Sequence, residues 1–361
     1  MAIIRILSAV EQVAGHLREE LMREHWCGLM PGVDWLAADL GVSRKTMDAA
    51  LQLLEKEGLL VPQGGGRRRR IELPAGVKPA AALRVAILLS EPIDRKLDYM
   101  VELQHKLQKA GHVAFYPAKS LSELGMEARR LARMVEQTEA DAWVVLAGSS
   151  EILTWFSGQK VPAFALFGRR RGLPLAGAGP YKAPAFAAAT RMLIGLGHRR
   201  IVLLARTRRR LPEPGASEQA FLDEMTAHGM IVGSYHLPDW EESVRGFHSR
   251  LDSLFQVTPP TALIIEEAPL FTAAQQFLSQ RKLRVPQDVS LVCTDADVSF
   301  EWCRPTISHI RWDSRPIVRR IVRWAANVST GKKDLHQSLT QAEFVQGGTI
   351  GPVRDESVQN S

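Results

Sequence analysis

Apolar runs of strand length alternate with helical stretches between residues 84 and 293, and this alternation restricts the possible folds more than any other feature. The runs lie at 84–89, 142–146, 161–167, 201–205, 262–265 and 289–293. Because they have no polar face, each strand must be buried on both sides, as in a parallel sheet covered by helices. The alternation predicts an α/β fold with two doubly wound sheets and a cleft between two lobes.

A different pattern precedes this region, at residues 41–58. Ser43 can cap a helix whose exposed first turn carries Arg44, Lys45 and Thr46. The apolar residues of this helix recur every three or four positions, so one face packs and the other is free. Gly58 tolerates a positive φ and is predicted to end the helix.

A basic hairpin is predicted to follow this helix. Residues 59–61 have the pattern of a short strand, glycines 64–66 form a turn, and Arg67 to Arg70 place four cations on the returning strand. A helix beside a basic hairpin is the arrangement of a winged helix on DNA, with the helix in the major groove and the hairpin on the backbone or in the minor groove. The alternative is a solvated amphipathic helix followed by an arginine-rich segment. The residues predicted to contact double-stranded DNA are Ser43, Arg44, Lys45, Thr46, Gly65, Arg67 and Arg68.

The N-terminal motifs resemble the GntR-type winged helix of bacterial transcriptional regulators. The shared residues are Leu36-Ala37, Leu40, Gly41-Val42-Ser43-Arg44, Thr46, Ala50-Leu51, Leu54, Gly58-Leu59 and the three glycines. One departure is Asp34, in the stretch where that family carries a DNA-contacting arginine. An aspartate repels phosphate, so the second helix is expected to contribute less to DNA binding than usual.

The C-terminal motifs resemble the effector domain of the LacI/GalR regulators. They are the junction 196–201, the stretches 261–264 and 283–291, then Asp295, 305–307 and 330–332, all in the family's order. The resemblance implies a two-lobed periplasmic-binding-protein-like sensor. In that fold the chain crosses between the lobes three times, here expected near residues 179, 295 and 331. The predicted boundaries are 1–73 for the winged helix, 74–83 for a linker, 84–350 for the sensor and 351–361 for a disordered tail.

The same resemblance implies a small-molecule effector in the cleft, commonly a sugar or a purine. Asp295 follows a predicted strand, where open α/β sheets bind ligands, and its carboxylate can accept bonds from vicinal hydroxyls. Glu267, Ser149 and Ser90 are its candidate neighbours. A hinge-capping role for Asp295 is the alternative. The family's usual ligand-anchoring aspartate and arginine fall on Ala268 and Ser217, so this pocket differs from that of familiar members or has lost its ligand.

Charge and cysteine usage exclude several classes of protein. The net charge of +7 favours an anionic partner, and the arginine clusters at 169–171 and 206–210 are expected to be solvated loop charges. Three cysteines, Cys27, Cys293 and Cys303, without CxxC spacing indicate neither a disulfide framework nor a zinc site. No cofactor, metal or catalytic residues are predicted. Without a leader pattern or an apolar run long enough for a bilayer, the protein is expected in the cytoplasm.

These patterns together predict a DNA-binding transcriptional regulator, a repressor whose affinity for its operator is set by a small molecule, a sugar, in the cleft. It is expected to be a homodimer through the helix at about 97–107 and the helix near 317–324. One alternative is a cleft-binding α/β enzyme, although GxGxxG, P-loop and GxSxG motifs are absent. A regulator without a ligand and a secreted solute-binding protein are also compatible with the fold class.

Overall fold

A computed structural model describes residues 8–22, 26, 28–64, 68–72, 81–211 and 213–354. The N-terminal unit has three helices and a hairpin: α1 (Ala9–Met22), α2 (Val33–Asp39), α3 (Arg44–Lys56), β1 (Leu60–Val61) and β2 (Arg70–Ile71). The hairpin is antiparallel, and Leu29 bridges Arg70 on its second strand. Gly58 ends α3 with φ +77°, as predicted.

The core of this unit is a single apolar cluster to which all three helices contribute. Leu17 and Leu21 of α1 and Met47 and Leu51 of α3 are fully buried in it, and Arg18 pairs with Glu57 at the surface. The free face of α3 is thereby held outward by packing on its other face. The winged-helix prediction for this unit is confirmed.

The first lobe holds five parallel strands with helices on both faces. Its elements are β3 (Arg84–Leu88), a 3₁₀ helix (Pro92–Lys96), α4 (Asp98–Lys109), β4 (Val113–Phe115), α5 (Ala128–Glu136), β5 (Ala142–Leu146), α6 (Ser150–Ser157), β6 (Ala163–Leu166) and β7 (Ala176–Tyr181). The strand order is β4-β3-β5-β6-β7. Strand residues from both faces enter two cores, which explains the continuous apolar runs.

The second lobe repeats this architecture. It contains α7 (Ala183–Gly195), β8 (Ile201–Leu204), α8 (Thr207–Arg210), α9 (Ala216–Ala227), α10 (Val244–Val257), β9 (Ala262–Ile265), α11 (Ala268–Gln280), β10 (Ser290–Cys293), a 3₁₀ helix (Val298–Trp302) and β11 (Ser308–Trp312). The chain then returns through α12 (Arg315–Ser329) and ends on β12 (Gln337–Val345).

Strand β12 joins the two lobes into one ten-stranded sheet. Residues 337–341 pair in parallel with β7, and residues 342–345 pair antiparallel with β11. The predicted two-lobed α/β fold is therefore confirmed. The carboxyl ends of the first lobe's strands face the second lobe, because β7 runs directly into α7 there.

The crossings between lobes differ from the expectation. The first lies at residue 182, close to the expected 179, but the other two lie near 313 and within β12 near 341. The prediction at 295 is wrong because residues 308–312 form a further strand parallel to β10 in the second lobe. The prediction at 331 is wrong because residues 337–341 still pair with β7 of the first lobe. Helix α12, whose Ile321 and Trp324 are buried in the first lobe's core, makes the return.

The sequence pattern also predicts a strand at 231–237 and a helix at 121–138, and neither forms over its full range. No strand forms at 231–237, where Ile231 is 95% exposed and a turn follows. The predicted helix at 121–138 begins only at Ala128, after a turn. Residues 351–354, expected in the tail, pack on the second lobe through a bond from Val353 N to Leu196 O, and residues 355–361 lie outside the described part. Within the described ranges, no helix is long and apolar enough to cross a membrane.

Candidate nucleic-acid interface and inter-lobe cleft

The N-terminus of α3 is ordered by its cap. Ser43 has extended backbone angles, and its Oγ accepts from Thr46 N at 3.1 Å and lies 2.8 Å from Thr46 Oγ1. The hydroxyls of these two residues thus fix the first turn instead of pointing freely outward. Arg44 and Lys45, between them, are exposed and free to reach a groove.

Asp34 and Arg44 form an ion pair across α2 and α3. Arg44 Nη1 lies 3.1 Å from Asp34 Oδ1, and both side chains are 75% exposed. A pair this exposed is weak, so it orients the guanidinium without locking it. The departure noticed at Asp34 therefore acts on the residue predicted to contact DNA most directly.

The arginines of the hairpin do not share one role. Arg69 is half-buried and binds two carboxylates of α3, Glu55 and Asp48, the latter at 3.0 Å, so it fastens the wing to the helix. Arg70 pairs with Glu72. Arg68 is exposed, and the described residues offer it no ion-pair partner. Gly65 and Arg67, which were predicted to contact DNA, lie outside the described residues.

The cleft centres on Arg206, the second residue after β8. Its guanidinium binds Glu267 (Nη2 to Oε2, 2.8 Å) and Glu242 (Nη1 to Oε2, 3.6 Å) of the second lobe. Its Nη1 also lies 3.4 Å from Glu91 Oε1 of the first lobe. The side chain is only 16% exposed. One cation therefore joins carboxylates from both lobes, and Glu266 accepts from its backbone N–H.

Arg169 forms a second link across the cleft. It follows β6 of the first lobe, and its Nη2 donates to the carbonyl of Arg210, at 2.8 Å, and to that of Glu213 in the second. Together with the Arg206–Glu91 pair, this contact joins the two lobes across the cleft.

Asp295 is bound to a cation of its own. Lys182, at the first crossing, donates to Asp295 Oδ1 at 2.5 Å and to Thr294 O at 3.1 Å. The structure therefore brings Asp295 and Glu267 to the same edge of one sheet but gives them different partners. The contact with a residue at the crossing favours the hinge interpretation of Asp295.

The two serines are structural in this conformation. Ser149 caps α6 by accepting from Ile152 N at 3.3 Å. Ser90 is buried, with 1% exposed, and its carbonyl accepts from Ser122 N. The rest of this strand edge is aromatic: half-buried Tyr99, Phe167 and Trp312 pack edge to face, with ring centroids 5.4–5.9 Å apart.

The expectation of solvated arginine clusters is wrong for Arg170, Arg206 and Arg210, whereas Arg171 is exposed as expected. Arg206 is largely buried, Arg210 is 9% exposed and pairs with Asp239, and Arg170 is also 9% exposed. Burial lowers the pKa of Arg170. Glycines 177 and 179 allow this side chain to pass, since a Cβ at Gly177 would clash with Arg170 Cδ.

Sequence reasoning missed the cations of the cleft: Arg206, Arg169 and Lys182. A signal was available, because each lies within three residues of the end of a strand, at the edge where open α/β sheets place ligand contacts. Within the described chain, no group of His, Cys, Asp and Glu is arranged to hold a metal ion. Cys293 is buried and unpaired, and Cys303 is half-buried and unpaired, while Cys27 lies outside the described residues.

Comparison with known proteins separates the same two parts. The model of the bacterial regulatory proteins of the gntR family matches residues 9–68, and that of the periplasmic binding protein-like domain matches residues 190–350. The chain joins a GntR-family DNA-binding domain to a periplasmic binding protein-like domain. The matched ranges leave out the first lobe, whose place in the second domain is seen in the fold alone.

A similar curated protein is the HTH-type transcriptional regulator AglR of Rhizobium meliloti (strain 1021). It is 27% identical over 191 residues, which cover 48% of this chain. The match spans only half the length of that relative, at 50%.

Similar solved structures share this fold. A LacI family transcriptional regulator from Enterococcus faecium with bound ribose has a TM-score of 0.61 at 14% identity, covering 75% of this chain and 100% of that one. The lac repressor dimer bound to operator and the anti-inducer ONPF has a TM-score of 0.60 at 16% identity, covering 75% and 95%. The likeness establishes the fold of the periplasmic binding protein-like domain.

Proposed function

We propose that this protein is a DNA-binding transcriptional regulator, a repressor whose GntR domain binds an operator in the cytoplasm and whose cleft senses a small molecule. The observation that carries the proposal is the capped first turn of α3, where Arg44 and Lys45 are exposed beside an outward-facing wing. Donors in this position can reach base edges in the major groove, while Arg68 reaches the backbone. The AglR match supports the same function.

The test is a DNA-binding assay with the upstream region of its own operon. The full chain should protect a defined segment, and an Arg44→Ala, Lys45→Ala, Arg68→Ala variant should lose that protection. Arg311→Ala, which removes an exposed arginine paired with Glu343 on the sensor, is the control. Equal protection by both variants would remove the helix and wing from the interface.

We infer that the effector is a carbohydrate. The cleft edge combines the carboxylates of Glu91 and Glu267 with the aromatic cluster Tyr99, Phe167 and Trp312. Carboxylates accept bonds from hydroxyl groups, and aromatic faces pack on the apolar side of a ring, which is the polar and apolar mixture of a ligand pocket. The ribose-bound neighbour has the same fold.

A panel of mono- and disaccharides tests this inference by thermal shift. A true effector stabilises the sensor by RT ln(1 + [L]/Kd), so melting should rise with ligand concentration. It should also change the DNA affinity of the full chain. A Trp312→Ala variant that still folds should lose the shift.

A second candidate is a regulator whose sensor is closed without any ligand. The Arg206–Glu91 pair and the Arg169 contacts already join the lobes, and Lys182 already neutralises Asp295. In this case closure is intrinsic, because the differential contacts that a ligand would supply are made by the chain itself. Absence of a shift with every sugar, together with unchanged operator binding, supports this candidate over the carbohydrate sensor.

We further propose a homodimer, since paired winged helices bind two half-sites. Ile93 in the 3₁₀ helix, Leu97 at its end and Val101 in α4 are 56%, 39% and 55% exposed, and we name these three residues the apolar stripe. The inner residues of α4, Leu103 and Leu107, are buried in the lobe's own core. Ile317, Val318, Ile321 and Trp324 of α12 are also buried there, so the proposed interface uses the exposed residues 93, 97 and 101 and not the apolar face of α12.

A further inference from the structure

The first lobe carries a groove that the proposed function does not use. It has a volume of about 700 Å³ and lies between α12 and residues 332–340. Its lining contains five cations, Arg319, Arg320, Arg323, Lys332 and Lys333. Other exposed arginines, such as Arg311, Arg315 and Arg354, each have a carboxylate partner.

Only one of these cations is neutralised within the described chain. Arg320 makes a double contact with Asp334, with Nη2 to Oδ1 at 2.6 Å and Nη1 to Oδ2 at 3.0 Å, and is 9% exposed. This pair joins α12 to the loop before β12 and is structural. The other four cations, which we name the basic edge, are exposed, and none forms a salt bridge within the part of the chain that the structure describes.

Four like charges on one groove repel one another and attract anions. Asp313 compensates part of this charge through its electrostatic interaction with Arg319, but it forms no salt bridge with any of the four cations. An anionic partner would therefore lower the energy of this surface more than that of a mixed surface. The groove is open to solvent and carries several cations, which suits an extended polyanion rather than an enclosed small molecule. Charge thus defines the partner class.

The position of the basic edge indicates which polyanion. In the parallel register, Val85 pairs with Ala142 and Gly177 pairs with Gln337, so the amino ends of β3 and β12 share one edge of the sheet. Residues 332–336 lie at that edge. The sensor's described chain also begins there, at Ala81, three residues before β3.

The GntR domain is tethered to the same edge. Eight residues, 73–80, separate Glu72 of the DNA-binding domain from Ala81. A chain of that length spans at most about 30 Å, even when fully extended. This tether keeps Glu72 within about 30 Å of the start of the sensor at Ala81, on the sheet edge that also presents Lys332 and Lys333.

We propose that the basic edge binds the phosphate backbone of the duplex that flanks the site occupied by the winged helix. This inference rests on the proposed DNA-binding function. Lysine and arginine side chains contact phosphates without reading sequence, so the sensor adds affinity and orientation but no base preference. The backbone bond from Lys332 N to Asn327 O fixes the loop, so the two lysine side chains can be replaced without altering its fold.

The experiment uses the full chain and two duplexes. A core site is first selected from a random-sequence library, and the same core is then extended by about 15 base pairs at each end, roughly one and a half helical turns. The test variant is Lys332→Gln, Lys333→Gln. The matched control is Arg199→Gln, Lys282→Gln, which removes two exposed cations at the far edge of the second lobe.

The wild type and the control are expected to bind the long duplex roughly tenfold more tightly than the core, while the test variant, which keeps Arg319 and Arg323, should lose most of that preference. The salt slope on the long duplex should fall by about 0.9 for each phosphate that the variant no longer contacts. All three proteins should bind the short core equally. An equal preference for the long duplex in the test and control variants, or no preference in the wild type, overturns the proposal, and the second result would direct attention to an acidic protein. Failure of the wild type to bind any duplex instead refutes the proposed function.

Discussion

The carboxylate of Asp34 competes with DNA for Arg44, the first residue of α3. This carboxylate lies 3.1 Å from Arg44 Nη1. Because the side chain is 75% exposed, the carboxylate can also face a phosphate of bound DNA. Replacing Asp34 with Ala removes both the competing partner and a repulsive charge. We expect operator affinity to rise several-fold, about 1 kcal/mol, the scale of an exposed ion pair, in a fluorescence anisotropy titration.

Asp39 supplies the control for this experiment. It is exposed on the same helix but has no ion pair with Arg44 among the described residues. Asp39→Ala changes the net charge equally and should leave affinity closer to that of the wild type. If both variants bind alike, the effect of Asp34 is one of general charge and not of its pairing with Arg44.

His198 makes the stability of the second lobe depend on pH. Its Nε2 lies 2.9 Å from the Gly351 carbonyl, which can only accept, so Nδ1 must accept from Thr261 Oγ1. Burial lowers the pKa of His198 and outweighs the Gly351 bond, which raises it. The neutral ring is therefore favoured on folding. Its stabilisation is complete above the unfolded pKa of about 6.5 and is lost as the pH falls through the lower folded value.

Urea unfolding of wild type and His198→Gln measures this dependence. Glutamine can make similar bonds but does not titrate, so the wild type's advantage should shrink as the pH drops below about 6.5. A difference between the two proteins that is constant from neutral to mildly acid pH would contradict a neutral buried ring.

At the scale of elements, two arginines of the hairpin are expected to have different roles: Arg68 in DNA binding and Arg69 in stability. Arg68 is exposed, so Arg68→Ala should lower the salt slope of DNA binding by about 0.9 without changing the melting temperature.

Arg69 binds Glu55 and Asp48, so Arg69→Ala leaves two carboxylates partly buried without their donor. That variant should lose about 1–2 kcal/mol of unfolding free energy. Circular dichroism melts and anisotropy titrations on both variants give the comparison, and equal melting temperatures would remove the clamp role of Arg69.

Buried strands and their helices could be predicted from the sequence, since a continuous apolar run of strand length is stable where both faces of the strand are covered by helices. The strands at 308–312 and 337–345 could not. Residues such as His309 and Arg311, and the alternating polar residues of β12, lack that apolar signal because these strands lie where the two lobes meet. The apolar residues near 231–237 gave the opposite error, since a turn leaves Ile231 in solvent.

The positions of the acidic residues in the cleft could be predicted from the sequence, but the cations that pair with them could not. Strand ends indicated Asp295 and Glu267, whereas their partners Lys182 and Arg206 come from other strands. Glu91 meets Arg206 only because the lobes are closed. Such contacts depend on the relative placement of two lobes, which a local pattern does not contain.

At the scale of the whole molecule, the Arg206–Glu91 pair predicts that the unliganded sensor is compact. Glu91→Gln removes the charge of the first-lobe partner, and the radius of gyration from small-angle scattering should increase. Glu242→Gln is the control because its contact with Arg206 lies within the second lobe. A radius unchanged in both variants would show that the Arg169 contacts alone suffice for closure.

The apolar stripe of Ile93, Leu97 and Val101 predicts the site of dimerisation. Val101→Asp places a charge in the centre of the proposed interface, where an unpaired carboxylate is costly, and should yield monomers in sedimentation velocity. Ile231→Asp, at an isolated position that is 95% exposed, should remain dimeric. A dimeric Val101→Asp protein would move the interface away from α4.

Strand β12 has a consequence for how the sensor melts. Residues 337–341 complete the sheet of the first lobe and residues 342–345 complete that of the second. The sheet of each lobe therefore ends on a strand that the two lobes share. If one lobe unfolded, β12 would lose the hydrogen bonds to that lobe. The strand next to β12 in the folded lobe would then become an exposed sheet edge. The two lobes should therefore unfold as one cooperative unit, with a single calorimetric transition, and neither should persist as a stable proteolytic fragment.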